Sequence, residues 1–314
     1  MAHTKASRVL SVLLISALAF CAFLASRSGS LAALAANAIR ITSPAAGELL
    51  ADWKVLVKGE LNVPAGAEVG VQVNGVVALI SRGKFATILP LNFPAPTTDI
   101  KATVTNSSGA ILGTHSIPVG AESPNPDPIL MFKGSAVLGT APLRVHFTMT
   151  SRNQIALVEL DLDGDGTIDW QGARLDRQEF PLRDAGLYFP TIKVIDIDGK
   201  THSENTLVQV LDPKEFDGLL QAKWTAMKDA LRQGDIGRAV DYIVTRKRDG
   251  YRKMFESLTI PLSDIDRILT DIKFVELVGI RAEYNMLYTE NGIAMSGLVN
   301  FSLDMDGIWR INFF

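Results

Sequence analysis

DLDGDGTID, residues Asp161 to Asp169, sets carboxylates at positions 161, 163, 165 and 169, with Gly166 at the tight point of the run. Carboxylates this crowded repel one another unless a hard cation or backbone N–H groups sit among their oxygens. Asp161, Asp163 and Asp165 take positions 1, 3 and 5 of an EF-hand-type loop, and Gly166 takes position 6. Thr167 offers a backbone carbonyl at position 7, and Asp169 falls at position 9. Position 12 is Gly172 rather than a bidentate glutamate, and the flanks read as strands rather than helices. The run therefore predicts a calcium loop inside a β domain, with Asp161, Asp163, Asp165, Thr167 and Asp169 as ligands and calcium as the cofactor. Asp176 is the nearest candidate for a further ligand. The competing reading is a solvated acidic turn held by aspartate-to-backbone hydrogen bonds without a metal.

Three ordered motifs surround the loop: GTAPLRVHF (Gly139–Phe147), VELDLDGDGTIDW (Val158–Trp170) and DAGLYFPTIKVIDIDGK (Asp184–Lys200). Together they resemble the polycystic kidney disease (PKD) family. That family is a β-sandwich with a GTAPLTV.F strand, a W.FGDG-type centre and a GTYTV.L.V.D..G ending. Here Leu160 stands at the aromatic's place and the centre is lengthened, a variant that implies a calcium-associated module over residues 129–212. Asp196 and Asp198 form a second acidic pair, best read as an ordinary hairpin turn.

Upstream, ESPNPDP has three prolines in seven residues, which predicts an extended linker over 122–128. Residues 39–121 alternate with period two in short runs: Lys54–Gly59, Glu68–Gly75, Lys84–Leu91, Asp99–Gly109 and Thr114–Val119. Asn-Gly, Arg-Gly and Ser-Ser-Gly turns punctuate them. The order resembles the immunoglobulin-like modules of bacterial extracellular enzymes and adhesins, which implies a second β-sandwich serving as spacer or binding platform. Further upstream lie the basic start Met1–Arg8, the apolar run Val9–Ala25 and an Ala36-Asn37-Ala38 cleavage pattern. They read as a signal peptide over 1–38, with a mature N-terminus at Ile39 and a secreted or periplasmic location. The alternative is an uncleaved N-terminal anchor; no other stretch is long and apolar enough to span a membrane.

Beyond Asp212 the period changes. Phe216, Leu219, Leu220, Trp224, Met227 and Leu231 recur at helical spacing until Gly234. A second helix is predicted over Ile236–Val244, and a shorter one over Leu262–Thr270 with Ser263 as N-cap. Period two then places Ile272, Phe274, Val278, Ile280, Tyr284, Met286 and Tyr288 on one face, with hairpin turns at Asn291-Gly292 and Asp306-Gly307. Helices followed by a curling antiparallel sheet that ends on Trp309-x-Ile311-x-Phe313 are similar to the nuclear transport factor 2-like (cystatin-like) fold. That implies an α+β domain over 213–314.

Composition limits the chemistry. The 314 residues are 47% hydrophobic and 21% charged, with net charge −3. The first 38 residues carry Lys5, Arg8 and Arg27 and no acid, so the remainder holds 28 basic and 34 acidic residues, a poor match for nucleic acid. Cys21, the sole cysteine, lies in the leader, so the mature chain has no disulfide, thiolate zinc site or cysteine nucleophile. His115, His146 and His202 are scattered, without H-x-H or HExxH spacing. The C-terminal segment lacks histidine altogether, leaving Asp304, Glu283, Tyr284 and Tyr288 for acid–base work with no spacing that singles them out. The basic run TRKRDGYRK (Thr245–Lys253) reads as a helix end and turn. Trp224, Trp309, Phe313 and Phe314 read as core, while Trp53 and Trp170 near loops each offer a surface for a sugar. The expectation is a calcium-stabilised, non-catalytic protein that associates with an extracellular or envelope protein or polysaccharide. The alternative, from a different class, is a small-ligand or enzymatic pocket in the C-terminal domain.

Overall fold

The computed structural model describes residues 38–50, 54–64, 66–90, 97–121, 128–176, 178–258, 261–290 and 293–314. The leader as far as Asn37, Trp53, linker residues 122–127 and the Asn291-Gly292 turn lie outside them. No helix among the described residues is long and apolar enough to cross a membrane.

Eight strands form the first unit: β1 (Ile39–Ser43), β2 (Leu49–Leu50), β3 (Lys54–Leu61), β4 (Val69–Val73), β5 (Val76–Ser81), β6 (Lys84–Pro90), β7 (Thr97–Asn106) and β8 (Ile111–Ala121). They hydrogen-bond in the order β1-β3-β6-β5-β4-β7-β8-β2. The ladder folds over at β5, where Val76–Ala78 pair with β4 and Leu79–Ser81 pair with β6. One continuous ladder thus supplies both layers of an immunoglobulin-like β-sandwich. Alternation decides which side chains fill it: β3 buries Val55, Val57 and Gly59 and leaves Leu56 and Lys58 half-buried. Val71, Val73, Phe85, Ile100 and Val104 complete the core, each burial stabilising by roughly 1.5–3 kcal/mol for a large apolar side chain.

The second unit runs through β9 (Leu130–Gly134), β10 (Leu138–Thr140), β11 (Leu143–Val145), β12 (Phe147–Ser151), β13 (Ile155–Asp161), β14 (Trp170–Gly172), β15 (Phe180–Leu182), β16 (Gly186–Tyr188), β17 (Thr191–Asp196), β18 (Thr201–Asn205) and β19 (Val208–Leu211). Its largest sheet has the order β14-β13-β17-β18. Leu160, in the middle of that sheet opposite Ile192, is wholly buried with Val158, Phe147 and Val194. The acidic run begins where β13 ends.

The rest of the chain holds α1 (Pro213–Arg232), α2 (Ile236–Asp241), α3 (Arg248–Glu256) and an antiparallel sheet, β20 (Ile272–Val278), β21 (Arg281–Glu290), β22 (Ile293–Leu303) and β23 (Trp309–Phe313), paired in chain order. Asp212 caps α1 by accepting from the N–H groups of Lys214 and Glu215. Phe216, Leu220, Trp224, Met227 and Leu231 form its buried stripe, and Gly234, at φ +73°, follows its end.

The structure corrects four sequence expectations here. The second helix stops at Asp241 rather than Val244, because Tyr242 and Val244 exchange backbone hydrogen bonds with Ile311. The expected helix at Leu262–Thr270 is a 3-10 turn over Leu262–Arg267, and the Ser263 hydroxyl meets Asp264 instead of capping. The basic run opens a helix of its own, α3, where a helix end and turn are expected, with Arg248 tied to the Ile243 and Asp241 carbonyls. A bulge between Phe274 and Glu276 slips the alternation of β20, so Leu277 packs inward while Val278 and Ile280 are 62% and 54% exposed.

The three units also touch. Lys54 on β3 pairs with Glu204 on β18 at 3.1 Å, and both are buried. The hairpin between β22 and β23 lies on β4: Gly70 faces the Asp306 carbonyl, and Gln72 donates to the carbonyl of Met305 at 2.6 Å. Lys223 of α1 pairs with Glu68. Arg310, on β23, reaches the Ser107 carbonyl at 3.1 Å.

Candidate metal centre and the adjoining cleft

The acidic run leaves β13 through Asp161, whose backbone still pairs with Thr191 of β17. That anchoring buries Asp161, and the residues from Asp163 to Asp169 are exposed. Asp161 Oδ1 accepts from Gly164 N at 2.7 Å and Oδ2 from Gly166 N at 2.8 Å, so one carboxylate bends the chain twice. Gly164 sits at φ +80°, and a Cβ there would lie 2.8 Å from Phe189 Cβ. Only glycine satisfies both conditions. The loop closes where Asp169 N donates to the Leu160 carbonyl at 2.9 Å and Asp169 Oδ2 accepts from Leu162 N at 2.7 Å.

This folding brings carboxylate oxygens of Asp161, Asp163 and Asp169 within 4.8 Å of one another. Calcium holds its oxygens at about 2.3–2.6 Å, so ligands on opposite sides of one ion lie up to about 5 Å apart, and the three fit a single ion. Each bonded oxygen accepts one N–H and keeps a lone pair for a cation. Asp165, also expected as a ligand, lies outside this group. Asp165 Oδ1 accepts from Thr167 N at 2.6 Å, and Thr167 is exposed. Asp176 is held by Arg174 at 3.0 Å and does not join the three.

The loop faces the first unit across a cleft of about 630 Å3, lined among others by Lys58, Arg82, Lys84, Asp163, Asp165 and Phe189. Lys58 holds its ammonium 3.9 Å from the centre of the Phe189 ring. Burial pushes its pKa down, and the charge of Asp161 opposes that shift. The cleft is not legible in the sequence, because nothing in local periodicity says which surface of one unit meets the next.

Elsewhere, several chemistry-bearing side chains have protein partners. Asp196 Oδ1 accepts from the N–H groups of Asp198 and Lys200, the hairpin turn expected from the sequence. His202 Nε2 lies 3.1 Å from its Oδ2, and Asn153 donates to the same oxygen at 2.8 Å. Tyr284 is fully buried and donates to Asp217 at 3.0 Å; burial first, and that carboxylate second, push its pKa up. Asp304 accepts from Thr245 and Arg310. Trp170 packs edge-on against Phe180 at 6.0 Å and lies against the core. Of the four C-terminal aromatics expected in the core, Phe313 is the exception: it is 37% exposed on the last position of β23, with Lys247 over its ring at 5.5 Å.

No protein family and no curated protein matches the sequence. Several solved structures are similar to parts of the chain. The fibronectin(III)-like modules of Clostridium thermocellum CbhA share 15% identity over 56% of this chain and 95% of theirs, with a TM-score of 0.21. The D00-D0 domain of intimin shares 10% over 55% of this chain and all of that one, with a TM-score of 0.20. Titin domains z1z2, in complex with telethonin, share 14% over 56% of this chain and 97% of theirs, with a TM-score of 0.19. At such scores these likenesses carry no argument about fold or function.

Proposed function

We propose that the chain is a secreted or periplasmic, non-catalytic binding protein, stabilised by calcium, that associates with an envelope protein or polysaccharide. In this reading residues 39–121 are an immunoglobulin-like module, 129–212 a PKD-like module and 213–314 an NTF2-like domain. The observation that carries it is the convergence of Asp161, Asp163 and Asp169 beside a cleft between two sandwiches. A small-molecule pocket inside the C-terminal unit has less support: Trp224, Tyr284 and Phe301 fill that interior, and the roughly 350 Å3 cavity near it lies at the seam where Leu79, Leu211 and Trp309 meet.

A cation that binds the folded loop better than the unfolded chain stabilises by mass action, by about 2.7 kcal/mol at a hundredfold excess over its Kd. Thermal melts of the full chain are therefore expected to drop with chelator and to recover with calcium more than with magnesium, which demands a stricter octahedron. Asp163→Ala together with Asp169→Ala should abolish the response. Identical melts with calcium and with chelator would reduce the loop to an acidic turn.

A further inference from the structure

One wall of the cleft between the first two units collects three cations, and the fold places them there against local preference. Arg82 and Gly83 are the central residues of the β5–β6 hairpin, at φ +48° and +74°. The preceding hairpin makes the same turn with Asn74 and Gly75, at +48° and +82°. Asparagine enters the left-handed region readily; arginine does so against its Cβ, and hairpin turns of this kind select Asn, Asp or Gly. Beside the turn, Lys58 is half-buried and so partly stripped of water. Among the described residues, no ion pair joins Lys58, Arg82 or Lys84 to a carboxylate. Backbone strain and desolvation concentrated on one surface point to a ligand for that surface.

The charges in the cleft balance. Lys58, Arg82 and Lys84 stand on one side with Glu60, and Asp163 and Asp165 stand opposite. An anion entering the cleft is drawn by three groups and repelled by three. A divalent cation among Asp161, Asp163 and Asp169 shifts that balance by two charges.

We propose that this cleft is a cation-gated site for an acidic polysaccharide, in which Lys58, Arg82 and Lys84 take the carboxylates of uronate units once the Asp161–Asp169 loop is neutralised. The proposal rests on the calcium reading given above. A polysaccharide fits better than an acidic protein segment, because protein partners anchor on large side chains in apolar pockets. Here Phe85 is 1% exposed, and the Phe189 ring is already covered by Lys58. Thr42 and Ser81 add hydroxyls to the charged walls. The cleft volume of about 630 Å3 lies within the range of roughly 300–1,000 Å3 usual for ligand sites.

The test is isothermal titration of the full chain with a short oligogalacturonide at low ionic strength, in saturating calcium and in chelator. Neutral oligogalactose and polyglutamate serve as comparisons, and melting curves are recorded in parallel. The expected result is oligogalacturonide binding in calcium that weakens at least tenfold in chelator and falls with added salt, with neither comparison ligand binding. Arg82→Gly removes the charge and relaxes the turn, so it should weaken binding at least tenfold while the melting temperature holds or rises. Lys84→Gln, which leaves the turn untouched, should weaken binding several-fold. Calcium that raises the melting temperature without supporting any oligogalacturonide binding overturns this proposal and leaves the calcium reading standing. Equal binding in chelator overturns the gating, and preference for polyglutamate overturns the polysaccharide assignment. Neither a calcium shift nor binding overturns both.

Discussion

Replacing Arg310 by methionine should destabilise the chain by about 3–5 kcal/mol, the range for stripping the cation from a buried ion pair. Arg310 is 2% exposed. One terminal nitrogen donates to Asp304 Oδ2 at 3.0 Å and Asp306 Oδ1 at 2.7 Å; the other donates to Asp306 Oδ2 at 2.7 Å and to the Ser107 carbonyl at 3.1 Å. Methionine keeps the apolar stem and leaves those acceptors behind. Burial by itself would raise the pKa of Asp304; hydrogen bonds from Thr245 and Met305, and then the charge of Arg310, outweigh it and hold the group below its usual value. Without Arg310 the carboxyl stays buried and the attraction goes. The Ser107 bond adds about 1 kcal/mol to the loss. Urea denaturation followed by tryptophan fluorescence reads the change directly, since Trp224 and Trp309 lie in the adjoining core. Combining Arg310→Met with Asp304→Asn and Asp306→Asn removes the stranded charges and should recover at least half of the stability. A loss below about 1 kcal/mol in the single variant, or no recovery in the triple variant, would refute the reasoning.

Two further variants test the packing and the electrostatics. Gly70→Ala puts a Cβ 1.8 Å from the Asp306 carbonyl oxygen and 2.9 Å from its carbon, both backbone atoms that cannot swing aside. Its melting temperature should fall by an amount matching about 1–3 kcal/mol or more of overpacking, and an unchanged melt would mean that the hairpin does not seat on β4. Asp196 has its pKa lowered to about 2, chiefly by the hydrogen bond from His202; burial opposes, while Lys200, Asn153 and Asp198 assist. Because that lies below the value of roughly 3.9 for an unfolded chain, its contribution is complete above about pH 4 and disappears as pH falls towards 2. The gap in urea midpoint between wild type and Asp196→Asn should therefore be wide at pH 6 and narrow at pH 2.5, and a constant gap would count against the depressed pKa.

What the sequence made legible is what local rules control. Period-two alternation with Asn-Gly and Arg-Gly turns located β3, β4 and β6, and the stripe from Phe216 to Leu231 located α1. The acidic spacing identified three carboxylates that do converge. What stayed hidden depends on distant partners or on a single inserted residue. The bulge at Phe274 and Glu276 inverts the inward face of β20 without any break in hydrophobicity. α3 went unread because its nine residues carry few apolar groups, chiefly Tyr251, Met254 and Phe255. Asp165 fits the loop template as well as Asp163 does, yet its carboxylate lies outside the group formed by Asp161, Asp163 and Asp169. Lys223 looks like a surface residue in any local window, since its partner Glu68 lies 155 positions away, and nothing near Arg310 announces its bond to the Ser107 carbonyl, 203 positions away.

Those separations also set an order of events. Gln72 and Met305 touch although they are 233 positions apart, so at about 5–20 residues per second one emerges roughly 10–50 s before the other. Every strand of the first sandwich precedes residue 122, and its ladder can close long before β22 and β23 exist. The sandwich then waits with Gly70 and Gln72 bare, and the β22–β23 hairpin docks on a surface already built. Docking of that hairpin on β4 is therefore a long-range step of folding, since its contacts close over more than two hundred residues of chain.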